Sequence, residues 1–490
     1  MMQRRTARRI SRLSLSLFLL LSSWPAIGAD VPADHKQVLQ SIDAHAAQFT
    51  EISRRIWEFA EVGYQETKST ALLQKALEDA GFTVQAGVAE IPTAFVATYG
   101  QGKPVIGILG EFDALPGLSQ DAVPYRRILV PEAPGHACGH NLFGAGSALA
   151  AVSIKEYLER NKLPGTIRYY GTPAEEGGSG KVYMTRAGLF NDADAVLHWH
   201  PGDSNEVENG NSLAMISAKF RFHGQAAHAS VSPERGRSAL DAAMLMNIAV
   251  DMLREHVPST TRIHYTISKG GASPNVVPDL AETFLYARSP SMTTLDGIWE
   301  RILKCAQGAA LATETKLEVQ IVNSDYNILP NTPLANLIYK NFVEVGGMHY
   351  SPEERAFAEA LVRNLPEGAA RKLGSESTVE PVREPDPNEP TGSSDVGDVS
   401  WAVPTAGIST ATWVPGTPAH SWQAVASGGG RIGQDGMILA AKVLAITAAD
   451  LYVNPQVLRE AKADFEKRRA GEQYRSRIPA DQKPPLNYRR

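Results

Sequence analysis

Between residues 35 and 64 the apolar positions Ile42, Ala46, Phe49, Ile52, Ile56 and Phe59 recur at steps of three and four. That spacing predicts a long helix with one buried stripe. A second helix is predicted over residues 70–80, stopped by Gly81, which tolerates the positive φ of a helix end. Short apolar runs then alternate with helical stretches: a buried strand at 105–109, an alanine-rich helix at 142–158, and strands at 166–170 and 195–197. This alternation predicts an α/β fold, a mainly parallel sheet covered by helices.

The rhythm changes between residues 213 and 327. Strand-like 218–223, a helix at 239–255, strands near 262–268 and 281–286, a helix at 295–312 and a strand at 317–322 follow one another. The order β-α-β-β-α-β is that of a ferredoxin-like α+β sandwich. The α/β pattern resumes near Leu329 and closes with a helix at 437–451. The predicted organisation is therefore a catalytic domain in two parts, residues 30–212 and 328–453, with a smaller lid domain, 213–327, inserted. Residues 366–394, rich in Pro, Glu, Ser and Gly, read as a long surface loop. Residues 454–490 read as a helix followed by a loose polar tail.

Residues 1–29 carry a different signal: five arginines and no acid, an apolar run at 13–21, and the small-residue end Ile27-Gly28-Ala29. That is the pattern of an export signal removed after Ala29, and its arginine pairs permit twin-arginine export. The expected location of the mature chain is periplasmic or secreted. The apolar run is too short to span a bilayer, so no membrane attachment is expected after removal. The whole chain has a net charge of −5, and −10 remains beyond the arginine-rich segment. An acidic body is a poor match for nucleic acid. Two cysteines exclude a disulfide scaffold.

Chemistry-bearing residues gather just after the apolar strands, on the sheet edge where α/β folds build their sites. Glu111 and Asp113 follow the strand ending at Leu109, and acidic turn residues capping a helix are an equal reading there. Cys138 and His140, in Gly135-His-Ala-Cys-Gly-His, pair sulfur with imidazole, a combination that soft divalent metals prefer. Glu175 and Glu176 are adjacent carboxylates in a glycine-flanked turn, an arrangement that calls for a cation or a proton. His198 and His200 share a face by period two, and His420 lies in Pro418-Ala-His-Ser after a further strand. Together these groups could hold two metal ions, the equipment for amide hydrolysis by activated water.

With these motifs, and with Trp199-His-Pro, Gly224-Gln-Ala-Ala-His and Pro274-Asn-Val-Val-Pro in the same order, the chain resembles the M20 metallopeptidase superfamily in its aminoacylase-like amidohydrolase branch. The resemblance implies two divalent ions per subunit, Zn or Mn. Cys138 would bridge them, His140 and His200 would complete one site, and Glu176 and His420 the other. It further implies Glu175 as general base, Asp113 as the aspartate that orients the site, and His228, in a dimerisation lid, as the group that polarises the scissile carbonyl, often across a homodimer. Asn275 and Arg288 would bind substrate. Two positions depart from the pattern: Glu111 stands where the superfamily has a metal-binding histidine and plant-type members an aspartate, and Asn141 where those members have aspartate. His198 is extra, and a structural role is favoured for it. The expected activity is cleavage of N-acyl or aryl-amide amino-acid conjugates, aminobenzoyl-glutamate-like compounds among them. The alternatives are a dipeptidase on the same scaffold and a catalytically inactive conjugate-binding protein, against which the intact Glu175–Glu176 pair speaks.

Overall fold

The computed structural model describes residues 34–210, 212–369, 371–386 and 392–489. The expected export signal lies outside the described residues. Eleven strands are found among those described, in two sheets. β1 (Thr83–Ala86), β2 (Phe95–Gln101), β3 (Val105–Gly110), β4 (Gly165–Gly171), β5 (Ala195–Gly202) and β6 (Glu206–Glu208) belong to the larger sheet. β7 (Ala214–His223), β8 (Arg262–Lys269), β9 (Leu280–Ser289) and β10 (Lys316–Asp325) form the smaller one, and β11 (Thr405–Ala411) returns to the larger.

The large sheet runs β1-β2-β4-β3-β5-β11-β6. Its four central strands, β4, β3, β5 and β11, are parallel, and antiparallel strands close both edges. β3 is buried at every position, which is why its sequence is a continuous apolar run rather than an alternation. β1 and β2 carry no such signal, because β1 is largely exposed and the last residues of β2 are polar or half-buried. The helices His140–Asn161 and Arg431–Val453 pack against this sheet, and His35–Phe59 packs on both of them. Arg431–Val453 is long and apolar enough to cross a membrane by length and composition, yet 78% of its most apolar window is buried inside the fold. It is a core helix.

Two boundaries differ from expectation for local reasons. The first helix stops at Phe59 because Ala60 adopts the left-handed conformation and turns the chain toward Gly63 and Tyr64. β5 does not stop at Leu197 but runs on to Gly202, held along its length by β11. β3 leaves the ladder after Leu197. Pro201, with no N–H to offer, therefore falls where one side of the strand is unpaired.

The small sheet runs β10-β7-β9-β8, antiparallel throughout, and its chain order is β-α-β-β-α-β with the helices Ala239–Leu253 and Met292–Ala312. It has its own apolar core, including Phe220, Phe222, Met246, Leu285 and Ile302. The expected α/β domain with an inserted ferredoxin-like sandwich is the architecture found.

The two polar regions are tied to the fold at described residues. The loop after residue 363 is tied down at Asn205, whose Nδ2 donates to the carbonyls of Glu376 (2.6 Å) and Thr378 (3.3 Å). Beyond the helix Pro455–Arg469 the chain is not loose, as expected, but lies along the protein and buries Ile478.

Candidate active site

The parallel strands deliver their following turns to one edge of the large sheet. β3 leads directly into Glu111 and Asp113, and β4 into the turn 172–179 that carries Glu175 and Glu176. β5 itself bears His200, and the segment after β11 brings His420. Cys138 and His140 sit at the start of the helix His140–Asn161, where Gly139 takes the positive φ that lets the chain turn into it. The Glu turn is strained: Ala174 and Ser179, neither of them glycine, hold left-handed backbone (φ 60° and 51°). His420 does the same (φ 56°), while its N–H donates to Ala137 O at 3.0 Å, joining the two histidine-bearing loops.

Three groups of side chains converge, each with its ligand atoms within 4.8 Å of one another: Cys138 with His140 and His200; Cys138 with Glu176 and His420; and Glu111 with His140 and Glu175. Cys138 belongs to two of them. Cys138 Sγ lies 3.5 Å from His200 Nε2, and His420 Nε2 lies 3.2 Å from Glu176 Oε1. His200 Nδ1 donates to the Pro201 carbonyl at 2.8 Å, and burial keeps this ring neutral, so its Nε2 presents a lone pair toward the thiol. His140 Nδ1 is 2.9 Å from Asp113 Oδ1, which orients the ring. Asp113 Oδ2 accepts the Glu176 N–H at 3.0 Å, so one carboxylate positions two neighbours.

The donors suit a bound metal by a test independent of their spacing. Glu111 Oε2, His140 Nε2 and Glu176 Oε1 are buried without a hydrogen-bond partner. The first two lie 3.0 Å apart without the alignment of a hydrogen bond. The two carboxylate oxygens, Glu111 Oε2 and Glu176 Oε1, are orphaned buried acceptors, costly at roughly 1–3 kcal/mol each, and they suit a cation. Sulfur, imidazole and carboxylate together are a donor set suited to a metal ion.

The electrostatics rest on residues that sequence patterns do not single out. Lys181, fully buried, places Nζ 2.6 Å from both Glu111 Oε1 and Asp395 Oδ1, and its N–H donates to Asp395 Oδ2. Burial pushes the Glu111 acid up, but the Lys181 ammonium and His140 hold it well below the usual range. Glu111 is thus an ion-pair partner within the cluster, which accounts for a residue other than histidine there. Removing one member of such a buried pair costs roughly 3–5 kcal/mol. Glu66, also buried, accepts the Ala174 N–H at 2.9 Å and holds the start of the Glu turn; burial, then Asp113, pushes its acid up to about 8. Burial, followed by the charges of Glu111 and Glu176, raises the Glu175 acid well above normal. One signal is available for Lys181, a lone cation inside the apolar and glycine-rich segment 177–184.

Other residues lie elsewhere. Asn141 faces away from the cluster, its Nδ2 donating to Ser53 Oγ and Gly428 O, so it ties helices together. His198 is buried, with Nδ1 3.6 Å from Glu208. His228 is exposed in the small domain. Its Nδ1 accepts from the N–H groups of Ser230 and Val231, and its backbone pairs with Val276 next to Asn275. His228 and Asn275 are therefore neighbours of each other, and neither belongs to the three convergent groups. Arg288, on β9, stacks 5.7 Å from the Tyr286 ring with its Nε buried and unpartnered. Its charge acts on Asp325, which accepts the Ser179 hydroxyl at the end of the Glu turn.

Residues 107–424 match the model of peptidase family M20/M25/M40. The chain is 40% identical over 468 residues to one of the subunits of p-aminobenzoyl-glutamate hydrolase from Escherichia coli, covering 91% of this chain and 97% of that one. It is 31% identical over 454 residues to the human Xaa-Arg dipeptidase, covering 89% and 92%. A Bacillus subtilis protein described as a dinuclear metal-binding peptidase of the M20 family shares the fold, with TM-score 0.56, 17% identity, and coverage of 84% of this chain and 99% of that one. The chain belongs to peptidase family M20/M25/M40 and is a hydrolase of that family.

Proposed function

We propose that the protein is a metal-dependent amidohydrolase that cleaves the amide bond of N-acyl or aryl-amide amino-acid conjugates, aminobenzoyl-glutamate-like compounds among them. The observation that carries this reading is one thiol, Cys138, shared by two groups of ligand-capable side chains beside a second, adjacent carboxylate. Cys138, His140 and His200 would hold one divalent ion, and Cys138, Glu176 and His420 the other. Bound there, such ions polarise a carbonyl and make water a stronger nucleophile at neutral pH. Glu175 takes a proton from the attacking water and returns it to the leaving nitrogen. Asp113 keeps the His140 ring and the Glu176 backbone in register for both events. His228 and Asn275, supplied by a second copy of the chain in a homodimer, would contact the scissile carbonyl and the substrate. The exposure of His228, whose Nδ1 is bonded, among the described residues, only within its own loop, supports that arrangement. Arg288 would bind a substrate carboxylate, its buried Nε lacking any other partner. The arginine-rich and apolar start of the chain supports export, with work outside the cytoplasm.

One feature favours a second reading, a dipeptidase for basic residues: the cavity of about 450 Å³ beside His200 is lined by Glu206 and Glu208. A panel of acyl-amino acids, aminobenzoyl-glutamate and free dipeptides, offered to the metal-loaded mature chain, decides. Conjugates hydrolysed with kcat/KM at least tenfold above dipeptides are expected. Preference for free dipeptides ending in arginine supports the second reading, and no turnover of any member overturns both.

A further inference from the structure

We infer that Tyr488 and Arg489 are positioning residues for the catalytic turn, and that residues 471–489 form the strap that brings them there. The inference rests on the function proposed above for Glu175 and Glu176.

The need arises within the turn itself. Glu176 has ψ 62° and Gly177 φ 90°, neither of them helical, so the peptide between Glu176 and its neighbour departs from the regular ladder. A carbonyl left this way must find a donor elsewhere. Two come from the far end of the sequence: the Tyr488 hydroxyl donates to Glu176 O at 2.9 Å, and Arg489 Nη2 donates to the same oxygen. The Tyr64 hydroxyl donates to Gly178 O at 2.6 Å, and the two tyrosine rings meet edge to face at 5.7 Å. Two tyrosines in contact thus cap two carbonyls of one turn. Glycines make room for them. A Cβ on Gly63 would lie 2.4 Å from the Tyr488 oxygen, and one on Gly178 would lie 2.8 Å from Tyr64.

The approach of the strap is fixed at several points. Arg477 forms an ion pair with Asp296 of the small domain, and Tyr326 donates to Arg475 O at 3.0 Å. Arg186 donates to the carbonyls of Pro479 (2.9 Å) and Gln482 (2.8 Å), and Gln65 Nε2 donates to Leu486 O at 2.7 Å. The turn is therefore clamped from both sides. Glu66 and Asp113 accept its N–H groups, while Tyr64, Tyr488 and Arg489 donate to its carbonyls. Neither Tyr488 nor Arg489 needs to touch substrate for this role, because a shift of about 1 Å in a catalytic group can lower turnover about 10²-fold.

The test compares the full mature chain with a chain cut after Pro485, and with Arg489→Gln, Arg489→Lys and Tyr488→Phe. For each we would measure metal content, kcat and KM on a conjugate the wild type hydrolyses, and hydrogen exchange of the Ala174, Glu176 and Gly178 amides. The cut chain should lose about 10²-fold in kcat with KM within twofold, and those amides should exchange at least tenfold faster. Arg489→Gln, whose amide is a shorter and uncharged donor, should lose about tenfold in kcat, and Arg489→Lys, which keeps a charged donor of similar reach, should recover most of it. If the cut chain does not fold, the point variants decide by the same readouts. Wild-type kcat and wild-type exchange in the cut chain, or in Arg489→Gln and Tyr488→Phe together, overturn the inference. If the wild type hydrolyses no conjugate, the proposed function falls, and the exchange comparison still decides whether the strap holds the turn.

Discussion

Glu175→Gln should lower kcat on the order of 10³- to 10⁴-fold, the upper part of the range for a lost general base, with metal content unchanged. Glutamine has the same shape as glutamate and can still accept a hydrogen bond from water, but its amide cannot carry a proton to the leaving nitrogen. The contrast with its neighbour makes the prediction specific. Glu176 faces His420 at 3.2 Å and has its backbone N–H held by Asp113, a ligand-like setting. Glu175 stands with Glu111 and His140, where its acid is pushed up by burial and then by the carboxylates of Glu111, Glu176 and Asp395. Steady-state kinetics with metal analysis on the same preparation check it. Turnover within tenfold of wild type would assign the proton transfer to another group.

The second large effect is expected at Cys138. Its sulfur is the atom common to two of the three convergent groups, so Cys138→Ala should weaken both ion sites together. After dialysis the variant should keep fewer than one ion per chain where the wild type keeps two, and kcat should fall at least 10³-fold. Loss of an outer-shell partner of a metal typically costs 10–100-fold, and a shared ligand should exceed that. Alanine is small and apolar like the buried thiol, so the thermal midpoint of the metal-free proteins should agree within a few degrees. Elemental analysis and calorimetry check both halves. A Cys138→Ala protein with two ions and wild-type turnover would show that the thiol is structural.

The contrast between Cys138 and Lys181 shows what the sequence could convey. Cys138 sits in a short motif with His140, and its other partners lie on an apolar strand (His200) or after one (Glu176 and His420). Parallel strands place such residues on one edge of their sheet. Lys181 finds its partners Glu111 and Asp395 only through the fold, the latter 214 positions away, and no local pattern announces such a pair. Glu66 is hidden in the same way, since a glutamate before a helix reads as an exposed cap. The strap reads as loose because its composition is polar. What orders it is a series of hydrogen bonds to backbone carbonyls, an interaction that hydropathy does not register. The inserted domain is legible because its strand and helix order is a complete supersecondary unit with an apolar core of its own. β1 and β2 escape a sequence reading because β1 is a short, largely exposed edge strand and the last residues of β2 are polar or half-buried, so neither shows the alternation that marks a half-buried strand.

Anomalous diffraction from crystals of the mature chain grown with zinc or manganese tests the account most directly. It predicts two peaks per chain. One should lie at bonding distance, ~2.0–2.3 Å, from Cys138 Sγ and the His140 and His200 nitrogens, and the other at bonding distance from the same sulfur, Glu176 and His420. Peaks absent from this cluster at saturating metal, or one ion lying clear of the sulfur, would contradict it.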